Sequence, residues 1–94
     1  MPSLTSRVIA VGDVSHRRLG DETIAVNLHT GRYHSLNDVA GRMLDELLDG
    51  PTVGAALGRL EEVYDAPRDV LERDLLELCD VLAKRGLVAF ADDG

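Results

Sequence analysis

Apolar and polar residues alternate along the first third of this chain and then recur at helical spacing along the remainder. The clearest alternation lies in residues 23–28, where Ile24, Val26 and Leu28 share one apolar side and Thr23, Ala25 and Asn27 share the other. A period of two marks a strand with one covered face. Upstream, the apolar run 8–11 is interrupted by Gly12-Asp13 and resumes over 14–19, which predicts one or two short strands. Gly20-Asp21-Glu22 is a turn signal. His29-Thr30-Gly31 reads as a three-residue hairpin loop with glycine last, since glycine takes a positive φ at no steric cost. Arg32-Tyr33-His34-Ser35-Leu36 carries one aromatic and mixed polarity, which suits an edge strand. The pattern predicts a small three-stranded antiparallel sheet.

Helical spacing begins after Asn37, a residue suited to capping because its side-chain oxygen accepts from a free first-turn N–H. Val39, Met43, Leu44, Leu47 and Leu48 then predict a helix over about 38–49, stopped by Gly50-Pro51. Thr52 is the N-cap expected for a second helix, from Val53 to about Tyr64, with Val53, Leu57, Leu60 and Tyr64 on its buried side. Pro67 suits the first turn of a third helix, which runs to about Arg85 and ends at Gly86. Leu87-Val88-Ala89-Phe90 is a short apolar tail expected to pair with the sheet or pack under it. Residues 1–6 and 91–94 are expected to be loose ends. The order predicts one α+β domain over 1–94, winged helix-turn-helix-like, with a small three-stranded antiparallel sheet followed by three helices.

The third helix is broader in its apolar stripe than one core contact requires. With Val70 at 0°, steps of about 100° put Val81 near 20°, Asp74 near 40° and Arg85 near 60°. Leu78, Leu71, Leu82 and Leu75 follow between about 80° and 140°. The four leucines suffice to seat the helix on the sheet and the first helix. Val70, Val81 and Asp74 occupy a flank. A carboxylate within an apolar flank is costly to bury without a partner. Either Asp74 pairs within the domain, near Arg73 or with Arg85, or the flank is a groove wall that a partner covers.

Length and charge narrow the function. Ninety-four residues support one modest core and leave little room for an enclosed cavity. The net charge of −7 works against binding phosphate backbones, where positive charge dominates affinity. The single cysteine, Cys79, permits no internal disulfide, which fits a reducing compartment. No signal-peptide pattern and no bilayer-length apolar run is evident, so the expected location is the cytoplasm, with no membrane partner. His16, His29 and His34 lack metal-ligand spacing with each other or with Cys79. There is no phosphate loop, nucleophile elbow or HExxH. No enzyme, cofactor or metal is expected.

Two classes remain on physical grounds. One is a peptide-binding module in which a guest strand adds to the edge strand 32–36 and its side chains enter a groove beside the third helix. The other is a winged-helix DNA-binding regulator, which Asp69, Glu72, Glu77 and Asp80 on that helix oppose.

Three stretches add a resemblance. Thr30-Gly31-Arg32-Tyr33-His34-Ser35-Leu36-Asn37, Leu47-Leu48-Asp49-Gly50 before Thr52-Val53, and the closing series Tyr64-Asp65, Val70, Asp74-Leu75, Leu82 and Gly86-Leu87-Val88 occur in order. Together, over roughly residues 14–90, the chain resembles the PqqD-like family, which includes the pyrroloquinoline quinone peptide chaperone and the recognition elements for ribosomally made, modified peptides. The hairpin wording is most similar to the stand-alone leader-binding proteins of lasso peptide clusters. Many relatives carry a tryptophan near Met43-Leu44; this chain has none.

The resemblance implies a non-catalytic binder that captures a precursor's leader as an added strand and presents it to a leader peptidase, after which a cyclase acts. The alternative is a chaperone serving a radical enzyme in quinone-cofactor or related biosynthesis. The expected peptide contacts are the backbone of Arg32, Tyr33, His34, Ser35 and Leu36, with Tyr33 and His34 on opposite faces. Val26, Leu28, Leu71, Leu75, Leu78 and Val81 are expected to build the apolar pocket, and Asp74 and Arg85 to anchor polar groups.

Overall fold

The computed structural model describes residues 2–91. Their order is β1 (Arg7–Ala10), β2 (Val14–Leu19), β3 (Glu22–Asn27), β4 (Arg32–Leu36), α1 (Asp38–Asp49), α2 (Val53–Val63), α3 (Arg68–Lys84) and β5 (Val88–Ala91). The architecture is α+β, with three helices after a three-stranded antiparallel sheet of order β2-β3-β4. β1 does not join that sheet. It pairs antiparallel with β5, Val8 opposite Phe90, so the apolar tail finds its partner at the start of the chain.

Local chemistry sets the element ends. β2 and β3 meet at Gly20-Asp21, with Leu19 opposite Glu22 and Gly20 at φ 62°. A two-residue loop with glycine first suits the right-handed twist of the flanking strands. The β3–β4 connection is one residue longer than expected, because Leu28 leaves the strand and the loop is 28–31; Gly31 holds φ 73° at its end. Asn37 caps α1 by accepting from Ala40 N–H at 2.8 Å, and Thr52 caps α2 by accepting from Ala55 N–H at 3.1 Å. After α3, Gly86 N–H donates to Ala83 C=O and Leu87 N–H donates to Leu82 C=O, both at 3.0 Å, the paired bonds of a Schellman motif.

Residues 3–6, expected to be loose, close the N-terminus of α2. Ser6 C=O accepts from Val53 N–H at 2.9 Å and Leu4 C=O from Gly54 N–H at 2.8 Å, while Ser6 is fully buried. With Thr52 they satisfy donors that a helix start leaves without intrahelical partners. Of the other terminus, Ala91 ends β5, and 92–94 lie outside the described residues.

The facing of β3 is the reverse of the expected one. Thr23, Ala25 and Asn27 point inward and are buried, whereas Ile24 and Val26 are half-buried on the outer face and Leu28 is 69% exposed. The cause is the close approach of α1. A Cβ added to Gly41 would lie 2.4 Å from Thr23 Oγ1, so only small side chains fit between this helix and the sheet. Steric fit outweighs apolar size here. His16, 3.6 Å from Asp45, and Arg18, paired with Asp38, bind β2 to α1 across the same contact.

The core lies among the helices: Met43, Leu44 and Leu47 of α1, Val53, Ala56, Leu57 and Leu60 of α2, and Leu71, Leu75, Cys79 and Leu82 of α3. α3 packs chiefly on α2 and β5 rather than on the three-stranded sheet and α1. Its buried stripe is accordingly rotated: Cys79 sits fully in the core and Leu78, expected there, is only partly buried. That rotation leaves a gap between α3 and the α1–β4 corner.

Candidate functional site

Two features border the gap. The first is the outer edge of β4, which among the described residues pairs with β3 alone. Which of its groups face outward follows from the ladder. Leu28 N–H donates to Asp13 C=O at 2.8 Å, just beyond the Val14–Asn27 pair. Backbone bonding in an antiparallel strand alternates sides, so Glu22, Ile24 and Val26 bond toward β2 while Thr23, Ala25 and Asn27 bond toward β4. Their partners Leu36, His34 and Arg32 therefore turn their N–H and C=O groups inward to β3. Tyr33 and Ser35 aim theirs at the free side. Only two of the five residues in the strand offer backbone groups to a guest.

The second feature is a cleft of about 310 Å³ walled by Asn37, Val39, Ala40 and Met43 at the start of α1 and by Asp74, Glu77, Leu78 and Val81 on α3. The α3 wall is one ridge at i, i+3, i+4 and i+7, the spacing of a single helix face. Val39 and Val81 stay 43% and 38% exposed, so apolar surface is left uncovered along the cleft. Asp74 meets Arg73 Nε at 3.5 Å, with its own side chain about half exposed, and makes no ion pair with Arg85. Among the described residues Glu77 has no hydrogen-bond or ion-pair partner.

The expected site residues divide accordingly. Asp74, Leu78 and Val81 line the cleft, and Tyr33 and Ser35 lie on the adjoining edge. Tyr33, 73% exposed, and the half-buried His34 point to opposite faces of β4. Leu36, Leu71 and Leu75 are buried and support the walls from beneath. Val26 belongs to a different, outer groove with Ser15, Arg17 and Ile24, and Leu28 to the hairpin loop, so neither lines the cleft. Arg85 is the exposed C-cap of α3, and Arg32 stands at the hairpin end of β4. Val39, Ala40, Met43 and Glu77 are cleft residues that sequence reasoning missed. Glu77 was legible as i+3 from Asp74. The α1 residues were not, because their spacing also fits a core stripe.

Cys79 shows no sign of a reactive role. Burial, reinforced by Asp80, pushes its thiol up to about 11. A thiol so placed stays protonated and is a poor nucleophile at neutral pH. Among the described residues no group of His, Cys, Asp and Glu is arranged to hold a metal ion, and no helix is long and apolar enough to cross a membrane.

An unpaired edge beside an apolar cleft is the geometry by which recognition domains accept an extended guest strand. Residues 22–88 match the family described as "Coenzyme PQQ synthesis protein D (PqqD)", and the chain belongs to that family. Two solved structures share the fold. One, "TbiB1 in Complex with the TbiA(beta) Leader Peptide", is 27% identical with a TM-score of 0.81, covering 89% of this chain and 99% of that one. The other, "Lasso peptide synthetase B1 complexed with the leader peptide", is 25% identical with a TM-score of 0.77, covering 90% of this chain and 98% of that one. No curated protein matches the chain.

Proposed function

We propose that this protein is a non-catalytic leader-binding element of lasso peptide biosynthesis. The leader of a ribosomally made precursor adds as a strand to β4, bonded to the backbone of Tyr33 and Ser35, and its side chains enter the cleft against α3. The bound precursor is then presented in the cytoplasm to a leader peptidase and a cyclase. The observation that carries this reading is the coincidence of the outward-facing edge with the uncovered valines of the cleft. Both solved relatives hold a leader peptide, which supports the same occupant. The family description supports a second reading, a chaperone for the peptide precursor of a quinone cofactor.

The test is titration with a synthetic leader segment of its precursor peptide, followed by amide NMR. Saturable binding that shifts Tyr33, Ser35, Leu78 and Val81 is expected. Absence of binding, or shifts confined to the outer groove near Arg17, overturns the proposal. Binding only to a quinone-cofactor precursor favours the second reading.

A further inference from the structure

The cleft has an electrical polarity along α3. Asp74 and Glu77 occupy the N-terminal half of the ridge and Leu78 and Val81 the C-terminal half. The midpoints of the two pairs are about 6 Å apart at 1.5 Å per residue. Residues i and i+2 of a strand, which share a face, are about 6.6 Å apart.

The surroundings do not neutralise the acidic half. Among the described residues Asp74 has only its sequence neighbour Arg73, at 3.5 Å and well exposed, and such a pair contributes little. Glu77 has no partner among the described residues. On a larger scale the charge is unevenly divided. Residues 33–91 contain six lysines and arginines against twelve acids, while residues 2–32 contain four against three. The excess of acids therefore falls in the part of the chain that carries α1, α2 and α3. Covering the cleft with an apolar strand alone would strip water from two carboxylates without replacing it, which is unfavourable.

Resting on the leader-binding reading, we infer that the cleft selects guests that carry a lysine or arginine two residues from a branched apolar or aromatic side chain, both on the strand face turned to α3. The cation meets Asp74 and Glu77, and the apolar side chain covers Leu78 and Val81. The surrounding acidic field raises the encounter rate of such a guest and makes that rate fall with salt.

The test is selection from a display library of random linear peptides against the wild-type protein and against an Asp74→Asn/Glu77→Gln double variant. Circular dichroism and thermal melting establish that the variant is folded. The wild-type pool should be enriched in Lys or Arg at that spacing from Leu, Ile, Val or Tyr. The variant pool should keep the apolar preference and lose the cation preference. For one selected peptide, association at low salt should slow by about tenfold in the variant. A wild-type pool rich in apolar residues without the cation, or a cation bias unchanged in the variant, overturns the inference while leaving the leader-binding reading intact. Failure of both proteins to select any peptide overturns both.

Discussion

Asn27 Nδ2 donates to the carbonyl of Gly86 at 3.2 Å, joining the last residue of β3 to the residue that turns the chain out of α3. The same side chain's Oδ1 accepts from His29 N–H at 2.9 Å and Thr30 N–H at 3.2 Å. One buried amide thus holds the hairpin loop that starts β4 and ties it to the end of α3. β4 adjoins the cleft, and α3 forms one of its walls.

Replacing Asn27 by alanine therefore affects both stability and the cleft. Loss of three hydrogen bonds from a buried residue should cost about 2–4 kcal/mol by urea denaturation. Asn27→Asp keeps the oxygen that accepts from both loop N–H groups but sets a carboxylate oxygen against the Gly86 carbonyl, and should lose leader affinity even where it stays folded. Calorimetric titration checks this.

Proline scanning of β4 should read out the alternation of its backbone. Ser35→Pro removes an outward N–H and is tolerated on an edge, so the fold should survive while leader binding falls at least about tenfold. His34→Pro removes a ladder bond to Ala25 and should destabilise by about 3 kcal/mol. Denaturation and titration of both variants check the pair; the opposite ranking would mean that the assigned register is off by one.

Leu75 and Val81 separate core from wall. Leu75 has no exposed surface, so Leu75→Ala should cost about 2–5 kcal/mol. Val81 is 38% exposed, so Val81→Ser should cost under about 1 kcal/mol in stability and act on leader affinity instead. Melting and titration of the two variants give the comparison.

The β3–α1 contact can be tested at Gly41. An added methyl meets Thr23 Oγ1, so Gly41→Ala should destabilise by about 1–3 kcal/mol, despite alanine's better helix propensity. Thr23→Ala should relieve part of that cost. Its hydroxyl is buried with no hydrogen-bond partner among the described residues, so little is lost with it. Denaturation of the double-mutant cycle checks the coupling.

Cys79 makes stability depend on alkaline pH. Its thiol rises from an ordinary 9.0 to about 11 on folding. The unfolded chain therefore ionises first, and the contribution present below about 9 is lost as pH climbs toward 11. Cys79→Ala should flatten that part of the slope relative to the parent. Labelling by a thiol reagent at neutral pH should proceed only as fast as the chain unfolds.

The sequence alone determined the order of elements, because turns and caps are local chemistry. Gly20, Gly31 and Gly86 adopt positive φ, and Asn37 and Thr52 accept the bonds expected of them. The edge position of β4 was also legible, and helical period set Asp74 and Val81 on one flank of α3, where they line the cleft. Tertiary structure decided which way each pattern points. β3 presents its small residues inward because α1 sits against Thr23, and α3 turns Cys79 rather than Leu78 into the core because it packs on α2 and β5. Periodicity specifies which residues share a face. What that face meets depends on the shape of a neighbour distant in the chain, and no local pattern encodes it.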